Sequence, residues 1–301
     1  MCGIKILVTG GTGFIGRNFI EAALRDGHEI VVLTRKSIAN SHPNQQTNIL
    51  LIENASDGDL DVALQDCNPD LIVHLAAAYS LSENWFEVKP MMEANCIMTL
   101  NLLKFAAKNH VPVIAAGTYT QELVEEKYPS TEYALTKSMA SLAYDFYARE
   151  FSLPVTELIL YDSYGVGDTR NKFLDQLIRA IMSGSSLNAS SGTQFIDLVH
   201  VQDIAKGILI ASQNIIKKQS SDMVRTTYTL SSGHPITILK LTEMVSQILD
   251  KPAKINWGYY PKRKNDFNKY FQNYDSLPGW IPECNFIEEV TRISRQYTVQ
   301  K

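Results

Sequence analysis

Little in this 301-residue chain points to cross-links, bound metal or a membrane. Its four cysteines, Cys2, Cys67, Cys96 and Cys284, are scattered, with no C-x-x-C pair and no metal-ligand spacing. That pattern argues against a disulfide scaffold and a zinc site, and for reduced thiols. His74 and His200 have no ligand partner at metal spacing and read as structural. No run approaches the ~20 apolar residues that a membrane helix needs. The apolar start is too short for a signal segment and is broken at once by glycines, so a soluble, cytoplasmic protein is expected. Neither charge dominates: a net charge of −4 offers no footprint for nucleic acid or a polybasic membrane patch. Repeats and low-complexity linkers are missing too. What remains is an ordinary globular composition, 45% hydrophobic and 20% charged, in a chain long enough for one large domain or two interlocked ones.

The chain is organised around its first sixteen residues. An apolar run, Ile4-Lys5-Ile6-Leu7-Val8, reads as a buried parallel strand. It stops at Gly10, Gly13 and Gly16, spaced G-x-x-G-x-x-G, and a helical pattern of Phe14, Ile15, Phe19, Ile20, Ala23 and Leu24 follows. A strand, a glycine turn and a helix N-terminus form a phosphate site, because glycines admit the ligand to the backbone and the first N–H groups of the helix point at negative charge. Gly10, Gly13, Phe14, Ile15 and Gly16 are therefore cofactor-binding candidates. The spacing is one residue longer than G-x-G-x-x-G, and a plain turn opening an αβ unit is the alternative.

Strand and helix signals then alternate. Strands are expected at Glu29–Thr34, Asn48–Glu53, Leu71–Leu75, Val111–Ala116 and Val155–Leu160, with helices at Ala94–Ala107 and Tyr133–Phe151. Such alternation predicts an α/β fold, a doubly wound parallel sheet covered on both faces. After Tyr161 the rhythm changes to a loop and helix over Asp168–Met182, a Ser-rich stretch, a strand at Asp197–Val201 and a helix at Asp203–Ala211. The expected division is a dinucleotide-binding domain of 1–161, with 194–230 returning to it, and a smaller lobe of 162–193 and 231–301.

Two clusters carry chemistry. The second strand ends in Thr34-Arg35-Lys36-Ser37 where NAD-binding folds place an acid for the adenosine ribose. Two cations and two hydroxyls suit a 2′-phosphate, which an acid would repel, so NADP(H) is expected through Thr34, Arg35 and Lys36. A solvated basic loop is the alternative. Tyr133 and Lys137 lie four residues apart, one turn along the same helix face. An ammonium beside a phenol favours phenolate and suits Tyr133 to proton transfer.

The segments T-G-G-T-G-F-I-G, His74-Leu75-Ala76-Ala77, Tyr133/Lys137 and Asp197–Asp203 resemble, in this order, the extended branch of the short-chain dehydrogenase/reductase superfamily, a Rossmann fold. The branch comprises nucleotide-sugar epimerases, dehydratases and ketoreductases. The resemblance covers most of the chain. It implies that Tyr133 gives or takes the proton, that Lys137 holds the nicotinamide ribose and tunes Tyr133, and that Leu75, Ala76 and Ala77 lie along the cofactor. It also implies a catalytic Ser or Thr just after the fifth strand, where Thr118 fits best and Thr120 is the alternative. Family 4,6-dehydratases follow that residue with an Asp-Glu pair; Tyr119 and Thr120 stand here, which argues against dehydration. Asp162-Ser163-Tyr164-Gly165 resembles the segment that seats the sugar, with Asp162 in place of Asn. Asn171-Lys172-Phe173 is similar to reductases making CDP-3,6-dideoxyhexoses, of the abequose or paratose synthase type. The resemblance thus puts Tyr79, Thr118, Tyr119, Thr120, Asp162, Asn171, Lys172 and Phe173 against the substrate. Ile196 stands where the branch has a phosphate-contacting arginine; Arg263 is the replacement candidate, or part of a surface basic cluster.

The expected activity is an NADPH-dependent ketoreductase acting on a nucleotide-activated deoxysugar, its ketone at C4. A same-family epimerase and a non-catalytic nucleotide sensor are the rivals. The Tyr133 helix carries two stripes: Leu135, Met139, Leu142 and Phe146, and the small-residue stripe Ala140, Tyr144 and Ala148. One serves the sheet, and the second is covered by the neighbouring helix or by a partner subunit. Family members often pair through these two helices, which implies a homodimer with Tyr144 in its contact; a monomer with Tyr144 half-exposed is the alternative.

Overall fold

The first strand and the glycine turn behind it set the frame. The computed structural model describes residues 3–34, 47–51, 62–64, 66–80, 84–121, 129, 131–217, 225–261 and 272–297. In chain order these hold β1 (Lys5–Thr9), α1 (Phe14–Arg25), β2 (Glu29–Thr34), β3 (Thr47–Leu51), β4 (Leu71–His74) and α2 (Trp85–Met92). A π-helical turn, Glu93–Ile97, leads into α3 (Met98–Asn109), β5 (Val113–Thr118), α4 (Glu132–Phe151) and β6 (Val155–Leu160). Then come β7 (Asp162–Tyr164), α5 (Phe173–Ser183), β8 (Ser186–Asn188), β9 (Phe195–Ile196), β10 (Leu198–His200) and α6 (Val201–Lys217). The chain ends with β11 (Arg225–Leu230), β12 (Ile236–Thr237), α7 (Ile238–Leu249), β13 (Lys254–Asn256) and α8 (Phe286–Arg295).

Seven parallel strands form the main sheet in the order β11-β6-β5-β4-β1-β2-β3. Val8 sits at its centre, level with Val32 of β2 and Val73 of β4. The strand order reverses between β1 and β4, the place where open α/β sheets bind ligands beyond their strands' carboxyl ends. The glycine turn lies at that end. Gly10 has φ +71°, and a Cβ there would come within 2.5 Å of the Ala76 backbone nitrogen. A Cβ at Gly16 would stand 2.2 Å from the Gly10 carbonyl oxygen. Glycine at both positions lets α1 start hard against the chain leaving β4.

The chain divides into two compact units, one of 1–160, 204–230 and 272–280, the other of 161–203, 231–271 and 281–301. Two segments differ from the expected division. Residues 194–203 lie in the second unit, because β10 pairs with β7 and β9 with β12. Residues 272–280 lie in the first, where Thr229 bonds Asp275 and Leu277 and extends the sheet beyond β11. In the first unit, α3 and α4 bury Leu102, Leu103, Phe105, Ala140 and Tyr144 against Leu7, Ile72, Val113 and Val155. The second packs α5, α7 and α8 around Leu177, Ile181, Leu241, Val245 and Val290. No helix among the described residues is long and apolar enough to cross a membrane.

The two stripes of α4 resolve in a way that corrects the expected dimer contact. Tyr144 is 1% exposed, and Ala140 and Ala148 are buried with it. The open stripe is the other one: Leu142 is 69% and Phe146 54% exposed, with Leu135 and Met139 also exposed. Half-exposed Tyr144 is likewise ruled out. The fifth strand also runs further than expected, pairing through Thr118 with Leu160, so Thr118 ends the strand rather than following it.

Candidate active site

Three elements meet around Tyr133 and Lys137. Helix α4 opens with Thr131 as its N-cap, whose hydroxyl accepts from the Ala134 N–H at 3.1 Å. This cap fixes where the helix begins, and so which residues face inward one turn later. Tyr133 is half-buried with its ring edge against Tyr79, centroids 4.9 Å apart. Lys137 is buried, and burial pushes its ammonium below the ordinary lysine range while Glu157 and then Cys96 pull it back.

The second element is the stretch leaving β4, which carries Leu75, Ala76 and Ala77. The Leu75 N–H reaches the Thr9 carbonyl of β1 at 3.1 Å, and beyond it the backbone groups need side chains. Asn95, on the π-helical turn, supplies them: its Oδ1 accepts from the Ala78 N–H at 2.8 Å and its Nδ2 donates to the Ala78 carbonyl at 2.9 Å. The same Nδ2 donates to Thr136 Oγ1 at 2.8 Å, and Thr136 Oγ1 donates to the Tyr133 carbonyl at 2.7 Å. One side chain therefore ties the cofactor-facing candidates to the Tyr133 turn of α4. Single-turn π-bulges gather at functional sites, but apolar periodicity runs straight through this one. An asparagine among Ala94, Cys96 and Ile97 was the only signal, and the sequence reading missed it.

The third element is the end of β5. Thr118 Oγ1 lies 3.1 Å from Thr120 Oγ1, and the Thr120 N–H points back at Thr118 Oγ1 at 3.4 Å. Tyr119 donates its N–H to the Leu160 carbonyl at 3.1 Å. Ser138, next to Lys137 in sequence, donates its hydroxyl to the Gln121 carbonyl at 2.7 Å, fastening the Thr118–Gln121 turn onto α4. The turn that carries Thr118 is thus fastened to the helix that carries Tyr133 and Lys137, with Gln121 and Ser138 as unforeseen supports.

His74 ends β4 and is bonded through both ring nitrogens. Thr9 Oγ1 sits 2.7 Å from His74 Nδ1 and accepts the Ala76 N–H at 3.2 Å, while His74 Nε2 sits 2.9 Å from Thr99 Oγ1. Thr99 donates its proton to the Asn95 carbonyl, so a neutral imidazole protonated on Nε2 completes the chain without a clash of donors. Burial, and then the Lys137 charge, push the His74 pKa down to about 3. The unfolded chain takes up a proton near pH 6.5 that the folded one refuses. His74 therefore contributes stability that is whole above about pH 6.5 and drains at up to ~1.4 kcal/mol per pH unit as pH falls towards 3. Urea unfolding at pH 7 and pH 5 should show His74→Gln losing one proton's worth of that slope; equal slopes in both proteins would contradict the assignment.

The glycine-turn candidates stand together at the start of α1, whose N-cap, Gly13, brings no side-chain cap. A Cβ at Gly13 would meet only the Gly10 carbonyl oxygen, at 3.2 Å. That side of the turn is open to an incoming phosphate, and the donor set fits a dinucleotide. Thr34 ends β2, while Arg35, Lys36 and Arg263 lie outside the described residues.

In the second unit, Asp162, Lys172 and Phe173 line one cavity of about 140 Å³ with Tyr164, Asp168 and Ile196. Lys172 Nζ stands 3.7 Å from Asp162 Oδ1. Asn171 does not join them: it has φ +55°, and its Oδ1 accepts from Arg179 at 2.9 Å. Asp197 is buried, accepting from Ser231 Oγ at 2.6 Å and the Ser232 N–H at 3.1 Å. His200 is buried 3.3 Å from Glu289. Among the described residues no group of three His, Cys, Asp or Glu side chains is placed to hold a metal ion.

A family model described as "NAD dependent epimerase/dehydratase family" matches residues 6–226. A CDP-abequose synthase from Yersinia pseudotuberculosis is 25% identical over 289 residues, covering 92% of this chain and 98% of its own. A probable UDP-glucuronate 4-epimerase from Rhizobium meliloti is 24% identical, over 98% of this chain and 97% of its own. Among solved structures, a UDP-glucuronic acid 4-epimerase from Bacillus cereus, in complex with UDP-glucuronic acid and NAD, superposes with a TM-score of 0.79 at 20% identity, over 98% of each chain.

Proposed function

The chain belongs to the NAD dependent epimerase/dehydratase family, and from that premise we propose that it is an NADPH-dependent reductase of a nucleotide-activated 4-keto deoxysugar. The observation that supports this most is the turn fastened to α4 beside Tyr133 and Lys137. It offers the hydroxyl of Thr118, followed by Tyr119 and Thr120 where eliminating water needs an acid and a base. A CDP-abequose synthase matching nearly end to end agrees with that choice.

In this reading the bound nicotinamide supplies the hydride. The chain's own groups do the rest. Thr118 donates a hydrogen bond to the ketone oxygen and fixes the carbonyl's direction. Tyr133 gives its phenolic proton to that oxygen as negative charge gathers there. Lys137 holds the cofactor's ribose, and its cation stabilises the phenolate left behind. Gly10, Gly13, Gly16 and the first N–H groups of α1 take the pyrophosphate, with Leu75, Ala76 and Ala77 alongside. Asp162, Lys172 and Phe173 are assigned to the substrate through the cavity that they line.

The test is NADPH absorbance over a panel of 4-keto sugar nucleotides. Net consumption is expected. Inversion of a sugar without net consumption would favour an epimerase, the reading for which the probable UDP-glucuronate 4-epimerase speaks, and binding without either would favour a sensor.

Preference for NADPH over NADH is assigned to Arg35 and Lys36. A charge-assisted bond contributes about 1.5–3 kcal/mol, so Arg35→Ala should weaken NADPH binding about tenfold or more. NADH binding should hardly change. Equal loss of both cofactors would show that Arg35 does not read the 2′-phosphate.

A homodimer through the open face of α4 completes the proposal, since Leu142 and Phe146 stand exposed on one stripe. Light scattering should find Leu142→Glu monomeric where the wild type is a dimer; a wild type monomeric at micromolar concentration would remove the dimer.

A further inference from the structure

Glu157 has no role in the chemistry assigned so far, yet it is 0% exposed in the middle of β6. A carboxylate in a strand buried on both faces is costly unless fully bonded. Here it is bonded on every side. Its Oε1 accepts from Gln121 Nε2 at 3.0 Å. Its Oε2 accepts from Ser141 Oγ at 2.8 Å and from Arg225 Nη2 at 2.7 Å. Arg225 is itself paired with Asp145 through Nη1. Room for the group is built into the neighbouring strand, since a Cβ at Gly117 would stand 2.9 Å from Glu157 Oε1 and 2.6 Å from Ile159 Cδ1.

The consequence runs through Gln121, which is also buried. An amide can satisfy both Glu157 and a backbone N–H only in one orientation, with Nε2 towards the carboxylate and Oε1 away from it. In that orientation Oε1 accepts the N–H of Thr118 at 3.0 Å. We propose that Glu157 is a positioning residue: by fixing the orientation of the Gln121 amide, it holds the backbone of Thr118 and so aims the Thr118 hydroxyl at the substrate oxygen. This rests on the reading of Thr118 as the hydroxyl that meets the ketone. The same carboxylate opposes the effect of burial on Lys137, which places one buried charge behind two of the three reacting side chains.

The test uses Gln121→Met in the full chain. It keeps the side chain's length, removes the amide, and leaves Glu157 paired with Ser141 and Arg225. A hydroxyl displaced by ~1 Å costs about a hundredfold in rate, so kcat should fall by about that factor while NADPH binding stays within about threefold. Hydrogen exchange at the Thr118 amide should accelerate. Thr118→Val/Gln121→Met should be no slower than Thr118→Val alone, because both changes remove the same hydroxyl contact. Glu157→Gln, which can still accept from Gln121, should lose less than Gln121→Met. A folded Gln121→Met with wild-type kcat and unchanged Thr118 exchange overturns the proposal, as do losses that multiply in the double variant. Exchange needs no substrate. A wild type that reduces no 4-keto sugar nucleotide therefore removes the reductase reading separately, and the Thr118 amide still decides the link to Gln121.

Discussion

Tyr133→Phe is expected to cut turnover of a 4-keto sugar nucleotide by about a thousandfold while NADPH binding stays within a few-fold, since a positioned general acid supplies roughly 10²–10⁴ in rate. The change removes one oxygen and keeps the ring and the backbone. Thr136 bonds the carbonyl of residue 133, not its side chain, and phenylalanine keeps that carbonyl. The edge contact with Tyr79 is made by the ring, which phenylalanine also keeps. The cap at Thr131 is untouched, so Lys137 stays on the same helix face. Lost turnover with retained binding then speaks for the phenol as a chemical group. NADPH fluorescence on binding and NADPH consumption on turnover measure the two quantities in one preparation. A rate close to wild type would end the assignment of Tyr133 as the acid, and with it the role of Lys137 beside it.

The parts of this molecule that sequence pattern exposes are those where burial and periodicity agree. Strands β2 and β6 run over the residues expected, because their Ile, Val and Leu runs are buried along their length and end at turns. The glycine turn is legible since Gly10 and Gly16 leave no room for a side chain. Strand β11 escaped for the opposite reason: at the edge of the sheet it is only partly buried, and Arg-Thr-Thr-Tyr-Thr-Leu carries a half-polar pattern. The supports of the site escaped because they are polar groups in apolar surroundings. Asn95 and Glu157 gain their place from partners 16 to 68 residues away in the chain, and no local spacing encodes them. An acid inside Val-Thr-Glu-Leu-Ile-Leu was visible, but its meaning depended on Gln121, Ser141 and Arg225 arriving around it.

Helix α4 makes the same point most sharply. Its buried face carries Lys137 and Ser141 as well as Ala140, Tyr144 and Ala148, because that face serves both the core and the site. Its exposed face carries Leu135, Met139, Leu142 and Phe146. Read by hydropathy alone, the helix points the wrong way. Charge on the two faces should therefore act in opposite fashions. Tyr144→Glu should abolish the folded state rather than separate subunits. It removes a large aromatic from among Leu102, Leu103 and Val113, a change of the kind that costs about 3–5 kcal/mol. It also buries a carboxylate, at a penalty of several kcal/mol if unpaired. The sum is comparable with the roughly 5–15 kcal/mol that holds a domain together. Tyr144→Phe keeps the ring and is expected to remain folded, which separates loss of packing from loss of the hydroxyl. Leu142→Glu, two residues earlier on the open face, should keep a wild-type melting transition even as it alters assembly. Circular dichroism melts of the three variants decide the matter. A cooperative, near-wild-type melt for Tyr144→Glu would mean that this residue does not face the core, and the orientation of α4, with the placing of Lys137 that depends on it, would have to be given up.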